Sequence, residues 1–488
     1  RRGNSCGSFK LQSPAERWGE WCKWFEGPKP FSELSSAIGR SSCTFRSPKE
    51  QAESSEWKAA VEAFPEFNKY GWPSRDAKAE KTSFELQCDA FIDSPPPSKE
   101  LREDALARVI PHYVRHTLPT YLHKYNRRDW NQVIDNIKLL IKADSSPGSP
   151  YALEAVRNDQ LMARMGSEFN ELVLDRIEKR LALSNEEIAK MSRQDRINYG
   201  LCDPVRVFVK NEPHKKTKLQ EGRFRLIMSV SIIDKAIEML LNAPLHKLEI
   251  ANWARIPSKP GIGFTREDNQ LVYDDIMSHG NMAFADINKW DWSCKFWLME
   301  DCVTAKVKLC NNPSPDWIKL ISLEPIIESE SVYQFSDGLM VAPHYRGIVN
   351  SGKYKTSRDN SFMRVLLAFL IGADKAIAAG DDTVESFIAG AEARYESLGW
   401  KLKDYQRVEK GFEFCSRWYE DGVSFPLNAG KMLMNFLHTK FKTEFEYDMQ
   451  LMQLTDQLEY HPDFPKISAF IEQLNLSPVS RWGSNNKN

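Results

Sequence analysis

The sequence has no apolar run of the roughly 18–20 residues that a membrane-crossing helix needs, which excludes an ordinary helical span. It has almost no net charge: 66 Lys and Arg against 67 Asp and Glu leave −1. The overall balance therefore points to no polyanionic partner, and any nucleic-acid reading must rest on local charge. Cysteine is sparse and unpaired in sequence. Its nine positions include no CxxC and are odd in number, against a zinc ribbon or disulfide framework and in favour of reduced, intracellular thiols acting as small buried hydrophobes. There is no internal repeat and no low-complexity tract. The chain begins Arg1-Arg2-Gly3, without Met and without the apolar stretch of a signal peptide, so it reads as the processed or fused product of a longer chain and not as a secreted one.

What is present is a globular composition, 42% hydrophobic and 27% charged, too apolar for disorder. At 488 residues, two or three packed lobes are expected. Residues 1–100 read as irregular and Pro-rich, with Trp18, Trp21 and Trp24 spaced as one packing face of a short helix. Helical periodicity runs from about Lys99 to Lys142, interrupted at Pro111 and Pro119, and again from about 152 to 197. Between them lies the turn cluster Ser145-Ser146-Pro147-Gly148-Ser149-Pro150-Tyr151.

Charge neutrality breaks at 205–225. Seven basic residues (Arg206, Lys210, Lys215, Lys216, Lys218, Arg223, Arg225) face only Glu212 and Glu221, a net +5. Apolar strand-like residues flank this centre, which predicts a basic hairpin-like arm suited to a polyphosphate. Further on, Met282–Asp286 reads as a short strand ending in an acid, with Asp291 five residues later; an acid at a strand end sits where sheets place their sites. The stretch 376–385 reads as two strands around Gly380-Asp381-Asp382, adjacent acids able to hold a hard divalent cation such as Mg²⁺. Between the two acidic segments, Ser351-Gly352 opens a loop into a helix with Phe362, Leu366, Phe369 and Leu370 at helical spacing, and Thr356 and Asn360 share one face. By composition a Gly-Asp-Asp arises by chance about 0.06 times in such a chain and SGxxxTxxxN about 0.003 times.

The order of these motifs is the decisive feature: basic arm, DxxxxD, SGxxxTxxxN, then Gly-Asp-Asp. It resembles the palm of viral RNA-dependent RNA polymerases, most nearly those of sobemoviruses with their polerovirus and barnavirus relatives. Val209-Lys210-Asn211-Glu212-Pro213-His214-Lys215, Trp290-Asp291-Trp292-Ser293, Asn360-Ser361 and Phe412-Glu413-Phe414-Cys415-Ser416 carry the narrower likeness, which covers about residues 145–420. The resemblance implies an α+β right hand with fingers, palm and thumb, its antiparallel palm sheet bearing the Gly-Asp-Asp hairpin. It implies fingers and an N-terminal extension over 1–281, palm over 282–300, a return segment over 301–345, palm over 346–425 and a small thumb over 426–488.

The resemblance also implies roles. Asp286 and Asp381 would bind two catalytic Mg²⁺ ions, for which Mn²⁺ can substitute, with Asp382 in support. Asp291, Ser351, Gly352, Thr356 and Asn360 would recognise the ribose of the nucleotide, and Lys210, Lys218, Arg223 and Arg225 would cover its triphosphate. Picornavirus relatives carry arginine where His214 stands, which leaves a phosphate contact there open. Ser146 and Gly148 belong to a template-guiding loop, and Cys415, Ser416 and Arg417 to a primer-grip hairpin. Lys401 and Lys403 both follow Leu398-Gly399-Trp400; Lys403 is taken as the general acid. Implied partners are an RNA template and product duplex, nucleoside triphosphates, a genome-linked protein primer and membrane-anchored replicase proteins, in the host cytoplasm at membrane-associated replication complexes. Initiation from a protein primer or de novo is left open. A reverse transcriptase would place an aromatic where Asp291 stands and another in the turn motif, where Ala379-Gly380 stand. An inactive RNA-binding scaffold is opposed by the full set of motif carboxylates.

Overall fold

The computed structural model describes Trp18 and residues 20–474. It is a mixed α/β architecture; among the described residues every pairing between strands longer than a single bridge is antiparallel except that of Val205–Val209 with Tyr333–Gln334. The centre is a four-stranded sheet in the order Ala376–Ala379, Asp382–Ser386, Met282–Ile287, Leu402–Arg407. Its middle strand is apolar on both faces, as a strand covered on two sides must be. Ala285 and Ile287 join a core with Trp290, Trp400, Phe362 and Leu366, whereas Met282 and Phe284 join one with Ile276, Val384, Phe412 and Tyr419. By the two-residue period of a strand, Asp286 shares the second face and lies at its open end.

Helix Thr356–Leu370 packs along the first face, burying Phe362, Leu366 and Phe369 as its spacing predicts. A three-stranded sheet (Gly411–Phe414, Arg417–Glu420, Val423–Pro426) lies against the second face and leads into helices Ala429–His438, Glu444–Leu458 and Phe464–Gln473. The basic segment is the predicted hairpin: Val205–Val209 pairs with Leu226–Ser229, and helix Lys216–Glu221 lies between them. These two strands close one end of a six-stranded sheet.

The first hundred residues depart from the sequence reading. Within the described part, Cys22–Ser32 and Ser35–Ser41 form a hairpin at the other end of that six-stranded sheet, and Ser55–Ala63 and Ala77–Cys88 are capped helices. The hairpin was hidden because its outer strand alternates poorly and contains Pro28 and Pro30, which an edge strand tolerates. The tryptophan stripe is not one helix face, since Trp24 lies in the strand. It is nonetheless packing: Trp18 is buried with Nε1 on Asp203 at 3.0 Å, and Trp24 Nε1 bonds Asn198. None of the eight described cysteines is in a disulfide; Cys6 and the opening Arg1-Arg2-Gly3 lie outside the described residues. Among the described residues no helix is long and apolar enough to cross a membrane.

The helices from 127 to 251 form their own lobe around Trp130, Phe169, Ile237 and Trp317. It is pinned by buried charge. Arg176 reaches Asp203 at 2.6 Å and Asp234 at 2.9 Å, and Arg180 reaches Asp234 at 3.0 Å. Removing Asp234 leaves the buried Arg180 guanidinium without its carboxylate and Arg176 with only Asp203, so Asp234→Ala is expected to destabilise the chain by about 3–5 kcal/mol. Lys99→Ala, which breaks an exposed pair with Glu103, is expected to change stability by less than about 1 kcal/mol. Urea midpoints of the two variants check this; equal shifts would contradict it.

Candidate active site

The antiparallel register Thr383↔Ala285 and Val384↔Phe284 brings the Asp382 end of its strand alongside Asp286. Gly380 and Asp381 form the two-residue connection between Ala379 and Asp382. Gly380 takes φ +62, a left-handed value suited to glycine at the first position of such a turn. Three carboxylates thus meet at one end of the sheet. Burial pushes Asp382 up to about 7, with the neighbouring Asp381 and Asp286 charges adding to the effect. Asp381 is also raised, by burial and then by Asp286. Like charges in a partly desolvated site disfavour joint ionisation, and a cation would relieve them.

Lys403 is brought to Asp286 by an irregularity. Leu402 pairs with Ile287 and Asp404 with Asp286, so Lys403 is the extra residue of a bulge, a device that re-aims a side chain. Its Nζ lies 2.8 Å from Asp286 Oδ2, and that hydrogen bond holds its proton more firmly than usual. Lys401 instead offers its carbonyl to the amide of Asn288. Glu413, on the adjoining three-stranded sheet, is a further acid near this point. It is raised by burial and then by Asp286 and Asp404. It stands in the Phe412–Ser416 phrase of the sequence, but nothing there marked it as a site acid.

Helix Thr356–Leu370 holds the turn from behind. Ser361 Oγ accepts from the Gly380 amide at 2.8 Å, and Arg364 Nε donates to the Asp381 carbonyl at 3.3 Å. The fully buried Arg364 also donates to Thr383 Oγ1 at 2.7 Å and lies 3.6 Å from Glu385, which accepts from Tyr395. The sequence signal for this support is a single charged residue, Arg364, within the apolar stretch of that helix after Ser361.

Of the polar set expected around the ribose, the structure joins two directly. Asn360 Nδ2 donates to Asp291 Oδ1 at 2.9 Å, while Asn360 Oδ1 accepts from Trp290 Nε1 at 3.0 Å, which fixes the amide's orientation. Burial pushes Asp291 up to about 7, Asp381 adds to that, and Asn360 and Arg225 oppose it. Thr356 Oγ1 is turned to the Asn350 carbonyl at 2.6 Å. Ser351 Oγ accepts from the Met228 amide, and Gly352 donates to the Met228 carbonyl. A Cβ on Gly352 would stand 2.2 Å from that carbonyl oxygen, so only glycine lets this loop dock on the basic arm.

Within the arm, Glu212 gathers the cations. Arg225 Nη1 is 2.9 Å, Lys431 3.1 Å and Lys210 3.3 Å from its carboxylate. Burial would raise Glu212, but these three charges outweigh it and bring it to about 2. His214 is buried, its Nε2 accepting from the Arg225 amide and its Nδ1 facing the Glu212 carbonyl, so it braces the arm's backbone. Lys218 loses proton affinity through burial and then the neighbouring charges of Arg223, Lys403 and Arg225, which sets it where the arm approaches the carboxylates. Arg223 itself is paired with Glu221.

The remaining candidates are more distant in role. Ser146 Oγ accepts from the Gly148 amide, and Gly148, at φ +73, packs against the Val230 carbonyl. Cys415 and Ser416 form the tight turn of the Gly411–Glu420 hairpin, both with positive φ. Burial raises the Cys415 thiol, with Asp382 and Asp381 next in effect, so this turn adjoins the acids. Arg417 points inward, bonding Ser424 Oγ at 2.7 Å and its carbonyl at 3.0 Å. Its side chain serves the hairpin's own shape.

Among the described residues no three His, Cys, Asp or Glu side chains are gathered so as to hold a metal ion. Magnesium is commonly held by one or two carboxylates, with waters and substrate phosphates completing the shell, so Asp286, Asp381 and Asp382 fit as donors for it. The raised proton affinity of Asp381 and Asp382 has a consequence for the cation-free chain. A carboxylate with an unfolded pKa near 3.9 and a folded value near 7 contributes stability that is full below about 4 and lost as pH rises to about 7. Asp382→Asn is therefore expected to raise the melting temperature relative to wild type more at pH 8 than at pH 5, measured in chelator; a pH-independent difference would contradict the coupling.

The family described as viral RNA-directed RNA-polymerase matches residues 57–277 and 326–417. The matched segments include the basic arm, the Ser351-Gly352 loop and the Asp381 turn, while Asp286 and Asp291 fall between them. The chain is 33% identical over 452 residues to replicase polyprotein P2AB of Southern cowpea mosaic virus, covering 89% of this chain and 46% of that protein. It is 33% identical over 402 residues to replicase polyprotein P2AB of Cocksfoot mottle virus, covering 79% and 42%. Against protein P1-P2 of Potato leafroll virus it is 30% identical over 403 residues, covering 76% and 36%. The chain spans less than half the length of these curated relatives. Because that match covers more than half of its length, the chain belongs to the viral RNA-directed RNA-polymerase family.

Proposed function

We propose that the chain synthesises RNA on an RNA template from ribonucleoside triphosphates, in the replication of a positive-strand RNA virus genome. The observation that carries this reading is the meeting, at one end of a sheet, of Asp286, Asp381 and Asp382 with the charge of an arm holding Lys210, Lys218 and Arg225. Such a reaction asks mainly for positioning and charge stabilisation, and little covalent chemistry from the protein. Two Mg²⁺ ions, or Mn²⁺ in their place, would lower the pKa of the primer 3′-hydroxyl and neutralise the leaving pyrophosphate.

The chain's own residues supply the rest. Arg225 and Lys210, now on Glu212, are the groups to take the triphosphate, which offers them a denser negative charge than one carboxylate. Lys403, protonated and held by Asp286, is placed to give its proton to the leaving pyrophosphate. Asp291, held by Asn360, faces the ribose and selects for its 2′-hydroxyl. The domain reading follows the same frame: fingers with the N-terminal extension through 281, palm at 282–300 and 346–425, a return segment at 301–345, and a small thumb from 426. The template, product duplex, a genome-linked protein primer and membrane-anchored replicase proteins are the proposed partners, in the host cytoplasm at membrane-associated complexes. In this reading Ser146 and Gly148 guide the template, and Cys415 and Ser416 the primer end.

The test is nucleotide incorporation by the purified chain with and without an RNA template and a divalent cation. Incorporation dependent on both is expected; binding of RNA without incorporation would leave an inactive scaffold. Arg225→Ala is expected to raise KM for nucleotide or lower kcat while RNA affinity changes little, because template contacts are spread along a channel. The opposite pattern would move the arm to the template path. Asn360→Ala is expected to weaken discrimination against deoxynucleotides by about 1–3 kcal/mol, read from the ratio of kcat/KM values. An unchanged ratio would remove the ribose role.

A further inference from the structure

The central sheet has a second concavity at its Ala376–Ala379 edge. It is a cleft of about 380 Å³, a volume within the range of small-molecule sites. Ala376 and Ile377 line it, and their strand then leaves toward the Gly380-Asp381 turn, which is outside the lining. Its opposite wall is the segment Ala254–Lys259, tied to the same strand by the Ala378 amide on the Pro257 carbonyl and the Lys259 amide on the Ala378 carbonyl.

The charges in this cleft do not cancel. Its acids are already engaged: Lys375 Nζ lies 2.5 Å from Asp275, and Asp374 accepts from Ser386 Oγ at 2.6 Å with His279 Nε2 at 3.4 Å. Lys259 is buried, its ammonium donating to the carbonyls of Trp253 at 3.0 Å and Ile256 at 2.6 Å, so it meets no anion. Burial brings it down to about 8, the condition of a cation that a nearby anion would stabilise. Arg255 is exposed, and among the described residues no hydrogen bond or ion pair engages its guanidinium. A planar guanidinium and a desolvated ammonium lining one cleft with Ala254, Ile256 and Pro257 match a phosphate oxyanion carried on a small organic body.

We propose that this cleft is a binding site for a phosphate-bearing small molecule of mononucleotide size, with Arg255 as its main charged contact. The phosphate chemistry is shared by a mononucleotide and by free pyrophosphate, and competition between them separates the two sources. The proposal is independent of the polymerase reading, because it concerns binding without turnover.

The experiment is calorimetric titration of the full chain with AMP at fixed ionic strength in chelator, repeated on Arg255→Ala and on Arg225→Ala. One saturable site is expected, weakened about tenfold or more by Arg255→Ala and unaffected by Arg225→Ala. Displacement of AMP by pyrophosphate assigns recognition to the phosphate alone, and failure to displace assigns it to the nucleotide; either supports the site. Absence of saturable binding, or a loss that follows Arg225→Ala and spares Arg255→Ala, would overturn it.

Discussion

The arrangement depends on carboxylates held together without enough positive charge among them. Asp286 sits on one strand, Asp382 at the start of its neighbour and Asp381 in the turn before it, with Asp291 and Glu413 close enough to be felt. One cation, Lys403, reaches Asp286 directly. Such a cluster is unfavourable in isolation, and a fold retains it only when the surrounding structure over-determines it. The sheet register, the glycine turn and the two hydrogen bonds from Ser361 and Arg364 do that here.

The support extends beneath the helix that carries Asn360. Lys355 contacts Glu324 at 3.0 Å, Lys306 contacts Asp359 at 2.9 Å, and Arg358 contacts Glu249 at 2.9 Å, all buried. Lys353 adds Glu238 at 3.0 Å and Glu328 at 3.3 Å. Buried pairs of this kind are weak sources of net stability but tolerate few alternative packings, because any shift strands a charge. The Ser351–Asn360 segment is thereby clamped to three neighbouring helices, Ile232–Ala251, Phe296–Lys308 and Pro315–Glu328. The basic arm is fixed differently: His214 bonds its backbone, Gly352 admits the loop against it, and Glu212 collects its free cations together with Lys431 from the C-terminal helices.

Much of this was legible in the amino-acid order, and the reason differs by element. The Asp286 strand, the Gly380-Asp381 turn, the Asn360 helix and the 205–225 hairpin each combine a local period with a local turn signal, so short windows suffice to find them. The N-terminal hairpin was missed because an edge strand with prolines has neither clean alternation nor an apolar run. Lys403 was separable from Lys401 only through a one-residue bulge, which depends on the register of two distant strands. Arg364, Glu413 and the inward turn of Arg417 are consequences of tertiary packing, where a charged side chain's neighbours come from remote parts of the chain.

The central proposal is that Asp286 and Asp381 supply oxygen donors to a divalent cation. It is tested most directly by Mn²⁺ binding, followed by electron paramagnetic resonance, in the wild-type chain and in Asp286→Asn and Asp381→Asn. Saturable binding in the wild type, lost or weakened at least about tenfold in each variant, is the predicted result, since each substitution removes an ionised oxygen donor. Equal Mn²⁺ affinity in all three proteins would contradict the account.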